Sequence, residues 1–167
     1  MQTKTLALCA IIAVCSSPPF AVAQSVTEPE EFAEIAASSN MFEIESSQLA
    51  LQQPVSDEVQ QFAQHMIDDH TAAGEKMKAA AQQDGISPPD EMVEKHQAQL
   101  QELQSAEADA FEQAYVSAQV MAHDEAVTLF EAFSQNGEES ALRSFAAETL
   151  PTLQEHQTEA DALAQGE

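Results

Sequence analysis

The sequence predicts an all-α protein, a four-helix bundle with a short extra helix in the connection between the second and third long helices. Strand signals are almost absent, because β-branched residues are scarce and no stretch alternates apolar and polar residues. Four long stretches instead carry apolar residues at intervals of three and four, which is the pattern of helices with one buried face. Two of the three links between them are tight and one is long, which favours two antiparallel hairpins joined by a crossover.

The first predicted helix begins near residue 30. Thr27-Glu28-Pro29-Glu30 has the spacing of a capping box, with proline in the first turn. Its apolar face runs from Phe32 to Leu49, and Pro54 lies just beyond its end. A tight turn then leads directly into the second helix.

Ser56 is placed to cap the second helix, and Asp84-Gly85 gives it a plausible stop. The link that follows cannot be helical through Pro88-Pro89. Asp90 is placed to cap the short connecting helix, whose apolar side carries Val93, His96, Leu100 and Leu103. This is the long connection of the predicted bundle.

The third long helix is predicted to start after Ser105 and to end at Asn136-Gly137. The fourth follows at once, so these two helices form the second hairpin. Pro151 interrupts the fourth helix, and we expect a kink there because the ring clashes with the carbonyl four residues earlier.

Residues 1–23 have the features of a cleavable signal peptide. Lys4 provides a positive start, an apolar run of ten residues follows, and Ala21-Val22-Ala23 is a typical cleavage pattern. We therefore expect cleavage near Ala23, a short tail over 24–29, a bundle domain over 30–165, and a periplasmic or secreted protein. Lipidation of Cys15 is an alternative that the bulky Val14 disfavours. Both cysteines lie in the removed segment, so disulfides and thiolate chemistry are excluded.

The mature chain is strongly acidic. It keeps 29 acidic residues against four basic ones, a net charge of −25 with histidine neutral. A polyanion of this density repels nucleic acids and anionic lipid surfaces. We expect no nucleic-acid partner, no membrane insertion, and a monomer or small homo-oligomer, with any protein partner left open.

Three histidines lie in the middle of apolar helical stripes: His70, His123 and His156, each on a different long helix. A buried ionisable group is unfavourable unless it is paired, hydrogen-bonded or bound to a metal. The three imidazoles are therefore either ligands of one metal ion or a hydrogen-bonded polar core that fixes helix register. Counting residues from the turns at ~1.5 Å each separates the heights of His123 and His156 by roughly 9 Å, with His70 between them.

Glu43 is the carboxylate of the first helix that lies on the flank of the apolar stripe. It is a candidate fourth ligand, or the acceptor that fixes an imidazole tautomer; the alternative is a glutamate reaching solvent. His65 and His96 are weaker candidates. Asp68-Asp69 are expected to be solvated or paired with a neighbouring helix. Tyr115 is expected to be structural, with its hydroxyl bonded to a core polar group.

Four phrases carry a resemblance to a known family. In chain order, they are SNMFEIESSQLA, FAQHMIDDHTAA, FEQAYVSAQVMAHDEAVTLF and LRSFAAETLPTLQEHQ. Together they resemble the DUF4142 family of exported bacterial proteins, assigned to the ferritin-like superfamily. The resemblance spans roughly Glu30–Leu163, and its most specific parts are Asp69-His70, His123 and Leu150–His156. It implies a ferritin-like four-helix bundle and leaves the biochemical role undefined.

The superfamily does not imply ferroxidase activity for this chain. Dinuclear iron sites in such bundles use two Glu-x-x-His pairs. The residues three positions before the core histidines are Ile67, Val120 and Leu153, all apolar. The absence of the motif favours a role other than that of a di-iron enzyme.

Three functions remain open from the sequence. The first is an exported bundle that binds a single zinc, copper, nickel or iron ion through the three core histidines and Glu43. The second is a non-enzymatic envelope protein, structural, interacting or stress-related, whose histidines form a hydrogen-bonded polar core. The third is a pocket for an apolar ligand, lined by Met66 and Met77.

Overall fold

The computed structural model describes residues 26–166 and contains five helices. They are α1 (Pro29–Ala50), α2 (Asp57–Gln83), α3 (Glu94–Gln104), α4 (Phe111–Asn136) and α5 (Ala141–Gln165). No strand occurs in this part of the chain, and the prediction of a ferritin-like four-helix bundle with a short helix in its second connection is confirmed. None of the described helices is long and apolar enough to cross a membrane. The predicted signal peptide lies outside the described residues.

The four long helices form a closed ring of contacts. α1 packs against α2 and α4, and α5 packs against the other side of the same two helices. The short α3 lies on α1 and α4. Side chains from all four long helices therefore reach a common interior.

One predicted cap does not form, and two predicted helix starts are wrong by a few residues. Glu28 stands at the start of α1 without a side-chain hydrogen bond, so the predicted capping box does not form. α3 begins at Glu94 and not at Asp90, because the backbone N–H of Val93 donates to Ser38 Oγ at 2.8 Å and so fixes the chain before the helix. α4 begins at Phe111, after a separate turn.

Two helix N-termini are capped by acidic side chains from neighbouring elements. Ser56 Oγ accepts from the N–H of Val59, as predicted, and Ser56 in turn donates its N–H and its hydroxyl to Glu112 of α4. The carboxylate of Asp84 accepts from the N–H groups of Ala141 and Leu142 at 2.9 and 2.8 Å. The two carboxylates accept from N–H groups at helix starts, which have no partner within the helix. They also fix the register of α2 against α4 and α5.

Pro151 does not interrupt the last helix. It lies inside α5, which continues to Gln165. A proline ring removes one backbone N–H and crowds the preceding turn. Packing of α5 against both α2 and α4 keeps the rest of the helix in place, since tertiary contacts supply most helical stability in proteins.

The core consists of two apolar clusters separated by a polar layer. The phenylalanine cluster contains Phe32, Phe130, Phe133 and Phe145 among other residues, and the tyrosine cluster contains Phe42, Phe62, Phe111 and Tyr115 among others. Each long helix contributes at least one buried side chain with an imidazole, carboxyl or amide group. We call this set the polar layer; its members are Glu43, His70, Gln119, His123 and His156.

Candidate metal centre

Three imidazoles converge in the polar layer. The ring centres of His70 and His123 are 5.8 Å apart, and both rings lie 5.5 Å from the ring of His156. One ligand nitrogen from each ring lies within 4.8 Å of the other two. Three imidazoles bound to one ion at ~2.0–2.1 Å place their ring centres roughly 5–5.5 Å apart. The observed triangle therefore fits a single transition-metal ion after a small contraction.

The offset of His123 and His156 along the bundle axis is smaller than the sequence count indicates. His123 lies 13 residues before the end of α4, and His156 lies 15 residues after the start of α5. Their offset along the bundle is therefore two residues, ~3 Å at the helical rise. The estimate of roughly 9 Å was wrong because it counted the residues of the α4–α5 turn as helical rise.

One nitrogen of each imidazole is fixed by an oxygen acceptor. His123 Nδ1 lies 2.9 Å from the carbonyl oxygen of Gln119, and His156 Nε2 lies 3.0 Å from Asp69 Oδ2. His70 Nδ1 lies 3.2 Å from Asn40 Oδ1. Each of these nitrogens must carry the proton, because a carbonyl, a carboxylate and an amide oxygen only accept.

The opposite nitrogens are left without a hydrogen-bond partner. His70 Nε2, His123 Nε2 and His156 Nδ1 are all inaccessible and unpaired. In a neutral imidazole with the other nitrogen protonated, each carries a free lone pair. Histidines that bind metals in proteins are oriented in this way, with the second nitrogen donating to an oxygen acceptor.

Burial favours the neutral form of His70 and His156. It is the largest cause lowering the pKa of His70 well below its usual value, and the neighbouring histidines lower it further. Burial also lowers the pKa of His156, although the hydrogen bond to Asp69 opposes the shift. Neutral imidazole is the form that ligates a metal ion.

Glu43 lies beside the three imidazoles and outside their closest group. It is 1% exposed, and no hydrogen bond of ordinary geometry reaches either carboxylate oxygen. Burial raises the pKa of Glu43, while the nearby His123 and Gln119 partly offset that increase. Glu43 is thus a buried acid that lacks a compensating charge.

Two further candidates from the sequence lie elsewhere in the core. His96 Nδ1 lies 2.6 Å from Ser38 Oγ, and this contact ties α3 to α1. The hydroxyl of Tyr115 lies 2.8 Å from Ser47 Oγ, which confirms that this tyrosine bonds a core polar group. Neither side chain belongs to a group of potential metal ligands among residues 26–166.

His65 and Asp69 form a second group with His156 at the surface. Asp69 Oδ2 lies 3.2 Å from His65 Nε2 and 3.0 Å from His156 Nε2. Asp69 is thus paired with a neighbouring helix, one of the two arrangements expected for it. The side chains of His65 and Asp69 are 46% and 39% exposed, so this group faces solvent while the three-histidine group does not.

The sequence analysis missed the residues that orient the imidazoles. Asn40 of α1 was not singled out from the sequence, and it accepts a hydrogen bond from His70. The carbonyl of Gln119 accepts from His123, and its side-chain amide donates to Ser46 Oγ at 3.1 Å. Its position four residues before His123 on the same helical stripe was the signal that pointed to this role.

A small internal cavity adjoins the centre. It has a volume of about 40 Å³, and its lining includes His70, His156 and Met77. A buried water needs ~10–15 Å³ of comparable space. The cavity can therefore hold an ion or a few waters, and it is too small for a large apolar ligand.

The fold matches several solved structures. CopM in the Cu(II)-bound form matches with a TM-score of 0.68 and 18% identity, over 83% of this chain and 97% of that chain. CopM in the Ag-bound form has the same TM-score and identity, over 83% and 96% of the two chains. The Cu(I)-bound form gives 0.68 at 17% identity, with the same coverage as the Ag-bound form. At this identity, the similarity establishes the fold.

The sequence comparisons identify the family. No curated protein matches the chain significantly. The family model named DUF4142, a domain of unknown function, matches residues 15–163. That match covers most of the chain, and it agrees with the motifs around His70, His123 and His156. The chain therefore belongs to the DUF4142 family.

Proposed function

We propose that this protein binds a single copper ion between His70, His123 and His156, and that it buffers or carries copper outside the cytoplasmic membrane. The observation that carries the proposal is the set of three unpaired imidazole nitrogens in one buried layer. Buried polar atoms in proteins almost always have a partner. One metal ion at the centre of the triangle supplies a partner to all three nitrogens.

The donor set favours copper among the transition metals. Imidazole suits zinc, copper, iron and nickel, and Cu²⁺ binds most tightly of the divalent first-row ions. Three neutral nitrogens without a close fourth ligand also suit an ion of low coordination number. The similarity in fold to CopM, solved with Cu(I), Cu(II) and Ag, gives copper further support.

Glu43 has a part in this proposal as the compensating charge. A buried carboxylate without a partner is strongly unfavourable, and a nearby cation removes much of that penalty. Glu43 lies close enough to His123 for the two to interact electrostatically. We infer that the carboxylate stabilises the bound ion from outside the three-histidine group or moves in to become a fourth ligand.

The alternative is a hydrogen-bonded polar core that fixes helix register. The bonds from His70 to α1 and from His156 to α2 favour it, since each joins two long helices. That interpretation leaves three imidazole nitrogens and both oxygens of Glu43 unsatisfied. Metal binding accounts for the same hydrogen bonds and for the unsatisfied atoms as well.

The location follows from the predicted signal peptide. A chain exported after cleavage near Ala23 has no cysteine left to bind copper. Histidine nitrogens are then the strongest copper ligands that the mature protein offers. The missing Glu-x-x-His pairs favour storage or transfer of the ion over di-iron chemistry.

The test is elemental analysis of the untagged protein, exported with its own signal and purified without a chelator from copper-supplemented cells. We expect one tightly bound copper per chain, and none that survives purification in His123→Ala. His96→Ala is the matched control, because it removes a buried histidine outside the centre, and it should retain the metal.

Two results separate the alternatives. A folded wild-type protein that takes up no copper, silver, zinc, nickel or iron would contradict the proposal and support the polar core. Zinc in place of copper, lost in the same variants, would keep the three-histidine centre and change its ion.

A further inference from the structure

His65, Asp69 and His156 form a cluster on the outer face of α2 and α5, supported by Glu159. His65 Nε2 lies 3.2 Å from Asp69 Oδ2, and His65 Nδ1 lies 3.3 Å from Glu159 Oε2. The rings of His65 and His156 have centres 5.1 Å apart. One ligand atom from each of His65, Asp69 and His156 lies within 4.8 Å of the others. One exposed imidazole, one buried imidazole and a partly exposed carboxylate thus face one another.

The two nitrogens of His65 face two different carboxylates. A neutral imidazole has one N–H, yet each nitrogen of His65 faces a carboxylate oxygen. One of the two contacts is therefore between two lone pairs, unless a cation or a second proton is present. If Nδ1 donates its hydrogen bond to Glu159, the lone pair of Nε2 points at Asp69. Histidines that bind metal ions have this arrangement, with one ring nitrogen donating to a carboxylate and the other free to bind the ion.

This outer cluster shares a side chain with the buried centre. His156 directs Nε2 to Asp69 and directs the unpaired Nδ1 to the interior. The two ring nitrogens lie on opposite sides of one imidazole, so a single side chain touches both groups. No other residue belongs to both groups of potential ligands in the described part of the chain.

Two neighbouring pockets lie beside the shared imidazole of His156. The internal cavity next to His70 and His156 is lined by Asp69, Ala73, Thr149 and Thr152. The same four residues line a groove of about 130 Å³ on the protein surface. The cavity and the groove therefore adjoin at Asp69, which is also a member of the outer cluster.

We propose that His65, Asp69 and His156 form an outer cation site through which a divalent copper ion enters the buried three-histidine centre. This inference rests on the proposed function. Two imidazoles and one carboxylate suit Cu²⁺ or Zn²⁺, and the acidic surface raises the local concentration of either cation.

The shared imidazole makes occupation of the two sites sequential. An ion at the outer site binds His156 Nε2, and the ring then keeps its single proton on Nδ1. When the ion moves to Nδ1, that nitrogen releases its proton to solvent and Nε2 takes one up, which it donates to Asp69. The number of protons on the ring stays constant, and one ion at a time uses this side chain.

The test is the rate of Cu²⁺ uptake by the untagged, metal-free protein in stopped flow. The signal is the fluorescence of Tyr115, the only tyrosine in a chain without tryptophan. Phe62 contacts both Tyr115 and His123, so the fluorophore lies near the centre. His65→Ala should slow uptake at least about tenfold, within the range by which charged sites raise association rates, while the final copper content remains one per chain.

A matched pair of variants tests whether the loss of one negative charge is sufficient to slow copper uptake. Glu159→Gln removes the carboxylate that orients His65, and Asp124→Asn removes an exposed carboxylate outside the cluster. Glu159→Gln should slow uptake measurably, and Asp124→Asn should load like the wild type. Equal rates for this pair, together with wild-type uptake by His65→Ala, would overturn the inference.

Equilibrium binding distinguishes the failure of the two proposals. His123→Ala should retain one weakly bound copper at the outer site, and the double variant His65→Ala/His123→Ala should retain none. Loss of all binding in His123→Ala would overturn the outer site and leave the buried centre intact. Wild-type affinity in His123→Ala, abolished by His65→Ala, would refute the buried centre and leave the outer site as the only one.

Discussion

The phenylalanine cluster and the polar layer are equally inaccessible to solvent, and their chemistry is opposite. In the first, the rings of Phe32 and Phe133 stack with centres 4.1 Å apart among other buried apolar side chains. In the second, three imidazole nitrogens and the carboxylate of Glu43 lack a partner. Burial stabilises the first region by itself, whereas it costs free energy in the second until a cation is bound. Similar burial thus indicates a packing role in one place and a ligand in the other.

The largest effect is expected in the phenylalanine cluster. Phe133→Ala removes a fully buried ring that stacks on Phe32, and such a truncation lowers the free energy of unfolding by about 3–5 kcal/mol. The loss should be the same with and without copper, because the side chain of Phe133 has no ligand atom. Urea unfolding of the metal-free and copper-loaded protein measures both values.

Phe133→Leu is the control for a variant that fails to fold. It keeps most of the volume and should lose less than the alanine variant. A loss that appears only in the copper-loaded protein would contradict the separation of the two regions.

A smaller effect of different character is expected in the polar layer. His123→Leu replaces a buried imidazole that has one unpaired nitrogen with an apolar side chain, and removal of a buried unsatisfied polar atom is often neutral or stabilising in the absence of a ligand. The metal-free variant should therefore unfold at the urea concentration of the wild type or above it. The copper-dependent stabilisation should vanish; for the wild type it is about 2.7 kcal/mol when free copper is 100-fold above Kd.

His96→Leu separates this effect from the general loss of a buried histidine. It removes the bond to Ser38 and should destabilise the protein equally with and without copper. If His123→Leu behaves in the same way as His96→Leu, the polar layer is a structural core and the imidazoles are not metal ligands.

The sequence was sufficient for the architecture and for the choice of histidines. Apolar residues at helical spacing located all four long helices, because an amphipathic stripe has one period over its whole length. The same stripes marked His70, His123 and His156 as interior, and all three are buried. Periodicity reports which face of a helix is buried, and that information is local.

The boundaries and the partners of the imidazoles depended on contacts distant in sequence. α3 starts at Glu94 because Ser38, 55 residues away, accepts from Val93. The heights of the histidines depended on where α4 ends and α5 begins, and Asp84 fixes the latter by capping α5. No local pattern contains these contacts, and the same holds for the contact between Asp69 and His156, which are 87 residues apart.

The smallest effect is expected at Glu43, and its sign should depend on copper. Burial raises the folded-state pKa of this carboxyl above the usual value of 4.5. Between the two values, the folded state binds more protons than the unfolded state, so the stability of the metal-free protein falls as the pH rises through this window. Glu43→Gln removes the ionisable group and should raise the free energy of unfolding of the metal-free protein above this pH window by about 1 kcal/mol. The gain is small because the buried carboxylate is replaced by an amide, which is also a buried polar group.

Copper should reverse the sign of the effect of Glu43→Gln on stability. The bound ion balances the negative charge of the carboxylate, whereas the amide is uncharged. Glu43→Gln should then weaken copper binding, whereas Glu34→Gln, an exposed position on the same helix, should change neither stability nor binding. Urea unfolding between pH 5 and 8 and copper titration measure the two effects. A variant that is less stable without copper at every pH would mean that Glu43 has a partner in the protein itself, and the polar layer would then need no cation to balance it.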